Sequence, residues 1–294
     1  MSYHLVAIGE ILWDVFPDGA KFGGAPANFA CSAAELANEE FKVTLVSAVG
    51  NDKLGDDAID ALRARAVSTD FIQRVDYPTG RVDVHLNHAG IASYEFASDS
   101  AWDYISWNPK LSQLANQCDA VCFGTLGQRS RESSSTIRQF IESTPTQAIR
   151  IFDVNIRKPF INEECVLSSL KLANALKLNE EELPAIASLC GLQGNPQALL
   201  PKIAKRYDLH LIALTLGDKG SILLAGDEMD ECHVLASDVI DTVGAGDAFT
   251  ATLVVDMLNQ QNLSIMNRHA NQVAAYVCSQ AGATMKFPRK IRMA

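Results

Sequence analysis

A chain of 294 residues, 48% hydrophobic and 20% charged, has ample apolar material for a packed core, which excludes wholesale disorder. The length suits roughly two domains, or one large α/β domain with an appendage. With 25 Lys and Arg against 35 Asp and Glu, the formal charge is −10, and so acidic a surface repels nucleic-acid phosphates and anionic lipid heads, setting both aside as the main partner.

No apolar run approaches the ~18–20 residues that span a bilayer. The opening Met1-Ser2-Tyr3-His4-Leu5-Val6-Ala7-Ile8-Gly9 has neither the basic flank nor the cleavage site of a secretory signal. The seven cysteines (Cys31, Cys118, Cys122, Cys165, Cys190, Cys232 and Cys278) form an odd set without a Cys-x-x-Cys pair and mostly sit in apolar runs. Buried, reduced thiols in a cytoplasmic protein are expected.

In chain order the pattern predicts a strand at 4–12, a helix at 26–38, a strand at 42–49 and a helix at 54–65. Strands follow at 119–124, 149–153, 174–178 and 210–216, interleaved with helices at 130–142, 163–172, 180–190 and 196–206. Two more helices, 245–258 and 264–281, close the chain, and no internal repeat is visible. This rhythm means an α/β fold: a mostly parallel central sheet with helices on both faces, and ligands beyond the carboxyl ends of its strands. Residues 13–24 and about 72–100 break the rhythm. Gly80-Arg81-Val82-Asp83-Val84-His85-Leu86, for example, alternates like a half-exposed antiparallel strand with no helix after it. Two such insertions into one domain spanning 1–294 predict a small projecting β lid that could keep water from a reaction. A pair of ordinary surface hairpins is the plainer reading.

The strongest local signal is Asp241-Thr242-Val243-Gly244-Ala245-Gly246-Asp247-Ala248-Phe249, between a β-type run (Cys232–Ile240) and a very apolar helix. Small residues let successive N–H groups converge in front of a helix N-terminus, which suits a phosphate oxygen. A carboxylate at Asp247 would repel a phosphate that was merely bound. It makes sense if it takes a proton from an attacking hydroxyl while the amides hold the developing charge. An aspartate is also common in a first helical turn for dipole reasons. A second cluster, Gly9-Glu10-Ile11-Leu12-Trp13-Asp14 and Gly23-Gly24-Ala25-Pro26-Ala27-Asn28, puts a carboxylate, an amide and accessible backbone near a strand end, a set suited to polyol hydroxyls. Other signatures are missing: there is no P-loop and no His-Glu-x-x-His, and Phe249 stands where a dinucleotide fingerprint needs its third glycine. His85 and His88, the only close histidine pair, would face opposite sides of a strand, so a metal site there is not expected.

The Asp241–Phe249 string resembles the C-terminal signature of the ribokinase/PfkB carbohydrate kinases. Gly23–Asn28, followed by Val49-Gly50-Asn51-Asp52-Lys53-Leu54-Gly55, resembles the N-terminal one, and the likeness runs from Gly9 to about Gly282. The resemblance implies a ribokinase-like fold with a β lid. It further implies Asp247 as catalytic base and the backbone of Gly244, Ala245 and Gly246 as anion hole. Asp14, Gly23, Gly24 and Asn28 would hold sugar hydroxyls, and Asp153-Val154-Asn155-Ile156-Arg157 resembles a strand-end motif near the phosphates and lid, with Arg157 beside the substrate; the lid run Tyr94–Asp103 is individual to this sequence, and Phe96 in it is expected to touch substrate. Asn179-Glu180-Glu181-Glu182 matches the family's Asn-x-x-Glu, which implies that Asn179 and Glu182 help hold Mg²⁺, partly through water. Thr215, Gly217 and Asn271 would line the ATP site with Gly246, and Asp241 with the Val243 carbonyl would take a monovalent cation such as K⁺.

Gly-Gly-Ala-Pro-Ala-Asn is nearer the fructokinases than the Lys-Gly form of ribokinases, while Ala37 departs from the usual glycine at a helix end. Gly124-Thr125-Leu126-Gly127-Gln128-Arg129 lacks an acid that ribokinases often have. The expected activity is therefore ATP-dependent phosphorylation of a primary hydroxyl of a free sugar, D-fructose to fructose 6-phosphate. Three alternatives stay open. One is a kinase for another sugar or a sugar acid such as 2-keto-3-deoxygluconate, for which Arg81, Arg129 and Arg157 are available. The others are a non-catalytic sugar or nucleotide binder and, weaker, an NAD-dependent oxidoreductase. The partners expected are small molecules, with a homodimer formed through lid edges.

Overall fold

The structure, a computed structural model, describes residues 2–16, 19–86, 92–157, 160, 162–233 and 239–292. Its strands are β1 (Tyr3–Ile8), β2 (Leu12–Phe16), β3 (Gly19–Gly23), β4 (Phe41–Gly50), β5 (Ile72–Val75), β6 (Gly80–Leu86), β7 (Ala92–Phe96), β8 (Ala120–Gly124), β9 (Ile149–Asp153), β10 (Ala175–Asn179), β11 (Leu211–Thr215), β12 (Ser221–Ala225) and β13 (Glu228–Cys232). The helices are α1 (Ala25–Leu36), α2 (Lys53–Arg63), α3 (Pro109–Asn116), α4 (Arg131–Glu142), α5 (Glu163–Leu172), α6 (Leu183–Leu189), α7 (Pro196–Tyr207), α8 (Ala245–Leu258), α9 (Leu263–Cys278) and α10 (Arg289–Arg292).

Nine strands form one sheet in the order β13-β12-β11-β10-β9-β8-β1-β4-β5. From β5 to β11 every neighbour is parallel, while β12 and β13 turn back as an antiparallel edge. The central strands read as unbroken apolar runs because both faces are covered. Leu5 and Ala7 of β1 face a core built with α1, α8 and α9, and Val6 and Ile8 face one built with α3 to α7. Helix α8 is apolar on every side and buried for most of its length, between α1, α9 and the sheet.

The other four strands form a separate, smaller sheet, β3-β2-β6-β7, built from the two segments from which a lid is expected. Several expectations need correcting. The strand predicted at 4–12 ends at Ile8, and the chain then crosses to the second sheet as β2. Residues 72–75 were expected in the projecting sheet, but β5 pairs with β4 in the large one. The pairing of β2 with β6 is parallel, since each enters the small sheet from the large one in the same sense; only the β2–β3 and β6–β7 hairpins are antiparallel. The β-type run 232–240 keeps a strand only up to Cys232: Val239 and Ile240 are exposed and outside any strand, and 234–238 lie outside the described residues. Helix α3 and strands β12 and β13 had no counterpart among the predicted elements, being short and weakly periodic.

The root of the small sheet rests on the second half of the N-terminal signature. Asp52 caps α2 by accepting from Gly55 N (2.8 Å) and takes both the amide (2.8 Å) and the hydroxyl (2.6 Å) of Thr79, the residue before β6. Thr79 Oγ1 accepts from Gly50 N at 2.9 Å. That motif is thus a clamp between the two sheets.

At the far end, His269 of α9 bridges Asp256 of α8 and the carbonyl of Ile291 in α10, both at 2.9 Å. Burial works against its charged form, but the bond to Asp256 and that carboxylate's charge outweigh it and raise its pKa above the usual value. A group raised on folding stabilises fully below its unfolded pKa of about 6.5 and loses that contribution as pH rises through the folded value. Thermal melts should therefore show the largest gap between wild type and His269→Gln near pH 6, shrinking toward alkaline pH. A gap independent of pH would contradict this.

Candidate active site

The chain runs outward from β1 in two directions, to β4 and β5 on one side and to β8 through β11 on the other. A crevice opens where such a topology reverses, beyond the strand ends. At this crossover, between β1 and β8, lies a cavity of ≈ 20 Å³ whose lining includes Glu10, Pro26, Thr125, Asp153, Asn155 and Asp247.

Two helices begin here without the side-chain caps that Asp52, Asn108, Ser130, Asn162, Asn195 and Asn262 give to others. Helix α1 starts from Gly24 and α8 from Gly244. Gly244 adopts φ +80, and a β-carbon on it would lie 2.6 Å from Ala283 Cβ, so a side chain is excluded on both counts. Ala245 N has a long bond of 3.3 Å to Thr242 O. Among the described residues no backbone carbonyl accepts from Gly244 N or Gly246 N. Unpaired amides at a helix start are suited to an anion.

Asp247 sits in the first turn of α8, half-buried, with Oδ2 accepting from Asn28 Nδ2 at 2.9 Å. Burial chiefly, and then the charge of Asp153, push its pKa up to about 6, against the pull of Asn28, Lys177 and Arg157. A carboxylate with that pKa is a competent base near neutrality. Asn28 Oδ1 is buried with no partner, an acceptor that a ligand hydroxyl would satisfy.

Asp14 is half-buried on β2, and a β-carbon on Gly23 would come within 3.1 Å of its Oδ2. Burial raises its pKa, opposed by Arg157 and Lys21. Gly24 has φ +105, and a β-carbon there would meet Glu10 O at 2.7 Å. Gly24→Ala should therefore cost about 1–3 kcal/mol in denaturant unfolding, from backbone strain. A loss below about 0.5 kcal/mol, the range of a neutral surface change, would contradict it.

Three residues of this centre were not singled out from the sequence. Glu10 is 3% exposed, and burial above all pushes its pKa up to about 7. Lys177, also buried, holds Asp153 Oδ1 at 3.1 Å, and a β-carbon on Gly246 would lie 3.0 Å from its Nζ. Burial lowers its pKa, but the charges of Asp153, Glu182 and Asp247 more than reverse this. Thr250 Oγ1 lies 2.8 Å from Asp153 Oδ2 and 2.9 Å from the Gly246 carbonyl, tying the anion turn to β9. For the two charged residues the signal was a lone charge within apolar sequence, inside strand β10 in Ala175-Leu-Lys-Leu-Asn179 and just past the end of β1 in Gly9-Glu10-Ile11.

Asn179 and Glu182 stand together after β10. Asn179 Oδ1 accepts from the amides of Glu181 and Glu182, and Glu182 accepts from Ile156 N (2.8 Å) and Asn179 N (2.9 Å). Among the described residues no group of three His, Cys, Asp or Glu could hold a metal ion unaided. Thr215 ends β11, and Gly217 begins the short turn after it. Asn271 is 7% exposed, with Nδ2 bonded to Ser221 Oγ and Asn267 between α9 and β12. Asp241 accepts from Val243 N and Gly282 N, both at 3.1 Å, and Val243 is exposed.

The three arginines differ sharply. Arg129 grips Asp103 with two nitrogens (2.8 and 2.6 Å), donates to Ala97 O and lies over the Trp102 ring, so it is a buried brace and is not available to a ligand. Arg81 pairs with Asp83 along its own strand. Arg157 is exposed, and its charge reaches Glu10, Asp14 and Asp247. Phe96 packs edge-on against Phe160 at 5.4 Å, above the Leu12, Val82, Trp102 and Leu126 cluster. The side chains at 85 and 88 lie outside the described residues. All seven cysteines are free, five of them buried.

This arrangement belongs to a recognised class: residues 18–290 match the model of the pfkB family carbohydrate kinases, and the chain belongs to that family. It is similar to the uncharacterized sugar kinase PH1459 of Pyrococcus horikoshii, 31% identical over 97% of this chain and 93% of the relative. The structure of that relative in complex with ATP superposes with a TM-score of 0.81, at 28% identity over 97% of this chain and 95% of its own. A fructokinase of Salmonella typhimurium is 29% identical over 87% of this chain and 85% of its own length. No helix among the described residues is long and apolar enough to cross a membrane.

Proposed function

We propose that the protein transfers the terminal phosphoryl group of ATP to a primary hydroxyl of a free ketose, D-fructose at O6. The observation that carries this reading is Asp247, a carboxylate with a pKa raised to about 6, next to the uncapped start of α8. ATP as donor is supported by the ATP complex of PH1459, and D-fructose by the fructokinase likeness.

In this reading Asp14, the Gly24 backbone and Asn28 hold the sugar under the lid, with Phe96 on its lid side. Asp247 accepts the hydroxyl proton as that oxygen attacks in line. The amides of Gly244, Ala245 and Gly246 hold the charge on the transferring group, with the Lys177 ammonium behind them. Thr215, Gly217 and Asn271 border the nucleotide, Asn271 through its carbonyl because its amide nitrogen is used within the fold. Lid closure would keep water from competing as acceptor.

Asn179 and Glu182 offer hard oxygen donors, which fits Mg²⁺ held by few carboxylates plus water and phosphate oxygens. There the ion would neutralise phosphate charge. Asp241 and the exposed Val243 fit a monovalent cation such as K⁺ by the same donor chemistry. A homodimer paired through lid edges β3 or β7, in the cytoplasm, completes the proposal.

The test is a coupled ADP-release screen of free sugars and sugar acids. D-fructose is expected to be the preferred acceptor, and no acceleration by any sugar would overturn the reading. One observation favours a sugar acid instead: Arg157 is exposed, its charge reaches Asp14, and it makes no ion pair among the described residues. Arg157→Ala should cut kcat/KM for 2-keto-3-deoxygluconate by about 10–100-fold more than for D-fructose, the worth of a hydrogen bond to a charged group. Equal losses on both acceptors would place Arg157 away from a substrate carboxylate.

A further inference from the structure

The mechanism leaves Glu10 without a task, although a carboxyl is a costly group to bury. Glu10 and Asp247 line the same ≈ 20 Å³ cavity at the β1/β8 crossover, enough room for one water. Asp153 and Thr125 border it too, so that water would have polar partners. The amides of its own residue and of Ala25 favour the ionised Glu10 carboxyl against burial, and Gly127 packs so close that a β-carbon there would lie 3.3 Å from Oε2. Among the described residues no side chain donates to it. It shares the cavity with Asp247, whose charge reaches it.

We propose that Glu10 is the second carboxyl of the transfer step, receiving through one cavity water the proton that Asp247 withdraws from the acceptor hydroxyl. The inference rests on the phosphotransfer reading above and deepens it. As the acceptor oxygen bonds to the terminal phosphorus, the bond from that phosphorus to the bridging oxygen breaks, and its electron pair leaves with ADP. The hydroxyl proton passes to Asp247. Asp247 gives it to the water, and the water gives one of its own to ionised Glu10, which releases it to solvent when product leaves.

Burial chiefly, and then the charge of Asp247, push Glu10 up to about 7, so beside an Asp247 pushed up to about 6 it is able to hold a proton near neutrality. Facing Glu10 and Asp247 are Asn28 and the Ala25 amide from α1 and Cys122 from β8. Asp153 from β9, Lys177 from β10 and Arg157 from the segment after β9 complete the set. Glu10 acts through Asp247 and is a positioning and proton-accepting residue, not a group that touches substrate.

The decisive measurement is a ¹³C titration of glutamate carboxyls in the substrate-free protein, as wild type and as Asp247→Asn, with Glu10→Gln supplying the assignment. The Glu10 midpoint should lie near 7 in wild type and fall by about one pH unit in Asp247→Asn, the size of a neighbouring-charge effect. A midpoint near 4.3, the ordinary glutamate value, or one unmoved by Asp247→Asn, would overturn the proposal. In kinetics, the acid limb of kcat for Glu10→Gln should fall with one proton where wild type needs two, and lie about one pH unit lower, with KM for sugar unchanged. A profile only scaled down in height, as a purely structural role would give, would also overturn it. If Glu10→Gln does not fold, Glu10→Asp supplies the assignment and the titration decides alone. Because the titration needs no substrate, coupling without sugar phosphorylation would sink the functional reading and leave the pair standing; phosphorylation without coupling would end only this inference.

Discussion

Asp247→Ala should lower kcat by about 10²–10⁴, the range for loss of a general base, while sugar affinity changes little. The reasoning starts from placement. Asp247 lies at the start of α8, where the Gly244 and Gly246 amides have no carbonyl partner among the described residues, and it is held by a single side-chain bond from Asn28. Its pKa, pushed up to about 6, makes it a better proton acceptor than a solvated aspartate while keeping it mostly ionised at pH 7. Asp247→Asn should lose as much, since an amide fills the space without accepting the proton. Steady-state kinetics on both variants, beside equilibrium sugar binding, checks this. Turnover within threefold of wild type, roughly 0.6 kcal/mol of barrier, would remove Asp247 from the chemistry.

Lys177→Met should produce the largest loss of stability, about 3–5 kcal/mol, because it strands a buried carboxylate. Lys177 and Asp153 keep only 8% and 7% of their side-chain surface exposed, and the same ammonium offsets Asp247 and Glu182. Removing both partners is different. Lys177→Met with Asp153→Asn should recover much of the loss, since neither charge then remains unpaired, and the double-mutant cycle in urea unfolding measures that coupling. Strict additivity of the two single changes would contradict it. Neither variant should regain wild-type turnover, because the ammonium beside Gly246 also faces the turn where the proposed transfer would gather phosphate charge.

Much of the architecture was legible because the central strands are continuous apolar runs and the helices carry clear polar faces or caps. Strands β4, β8, β9, β10 and β11 fall within a residue or so of their predicted limits, as does the start of α8. Strand β5 was misplaced because a four-residue edge strand has too few positions to show which sheet it joins. The parallel β2–β6 pair was missed since alternation reports half-burial and says nothing of a partner's direction. At the site, the Gly244–Asp247 string and Asn28 were readable as motifs, but their mutual contact, 219 positions apart in the chain, was not. Arg129 was read as available to ligand because a sequence does not show that Asp103 lies against it. Glu10, just past β1, and Lys177, inside β10, are not legible as site residues because an isolated charge in apolar sequence names no partner until the strand order is known.

Phosphoryl transfer to a primary sugar hydroxyl at the Asp247 turn can be followed by ³¹P NMR of a reaction with ATP and D-fructose. A new sugar-phosphate signal split into a triplet by the two protons of a CH₂ group is expected, growing as ADP appears and absent with Asp247→Ala. ATP decaying only to inorganic phosphate, or a doublet from a secondary position, would contradict it.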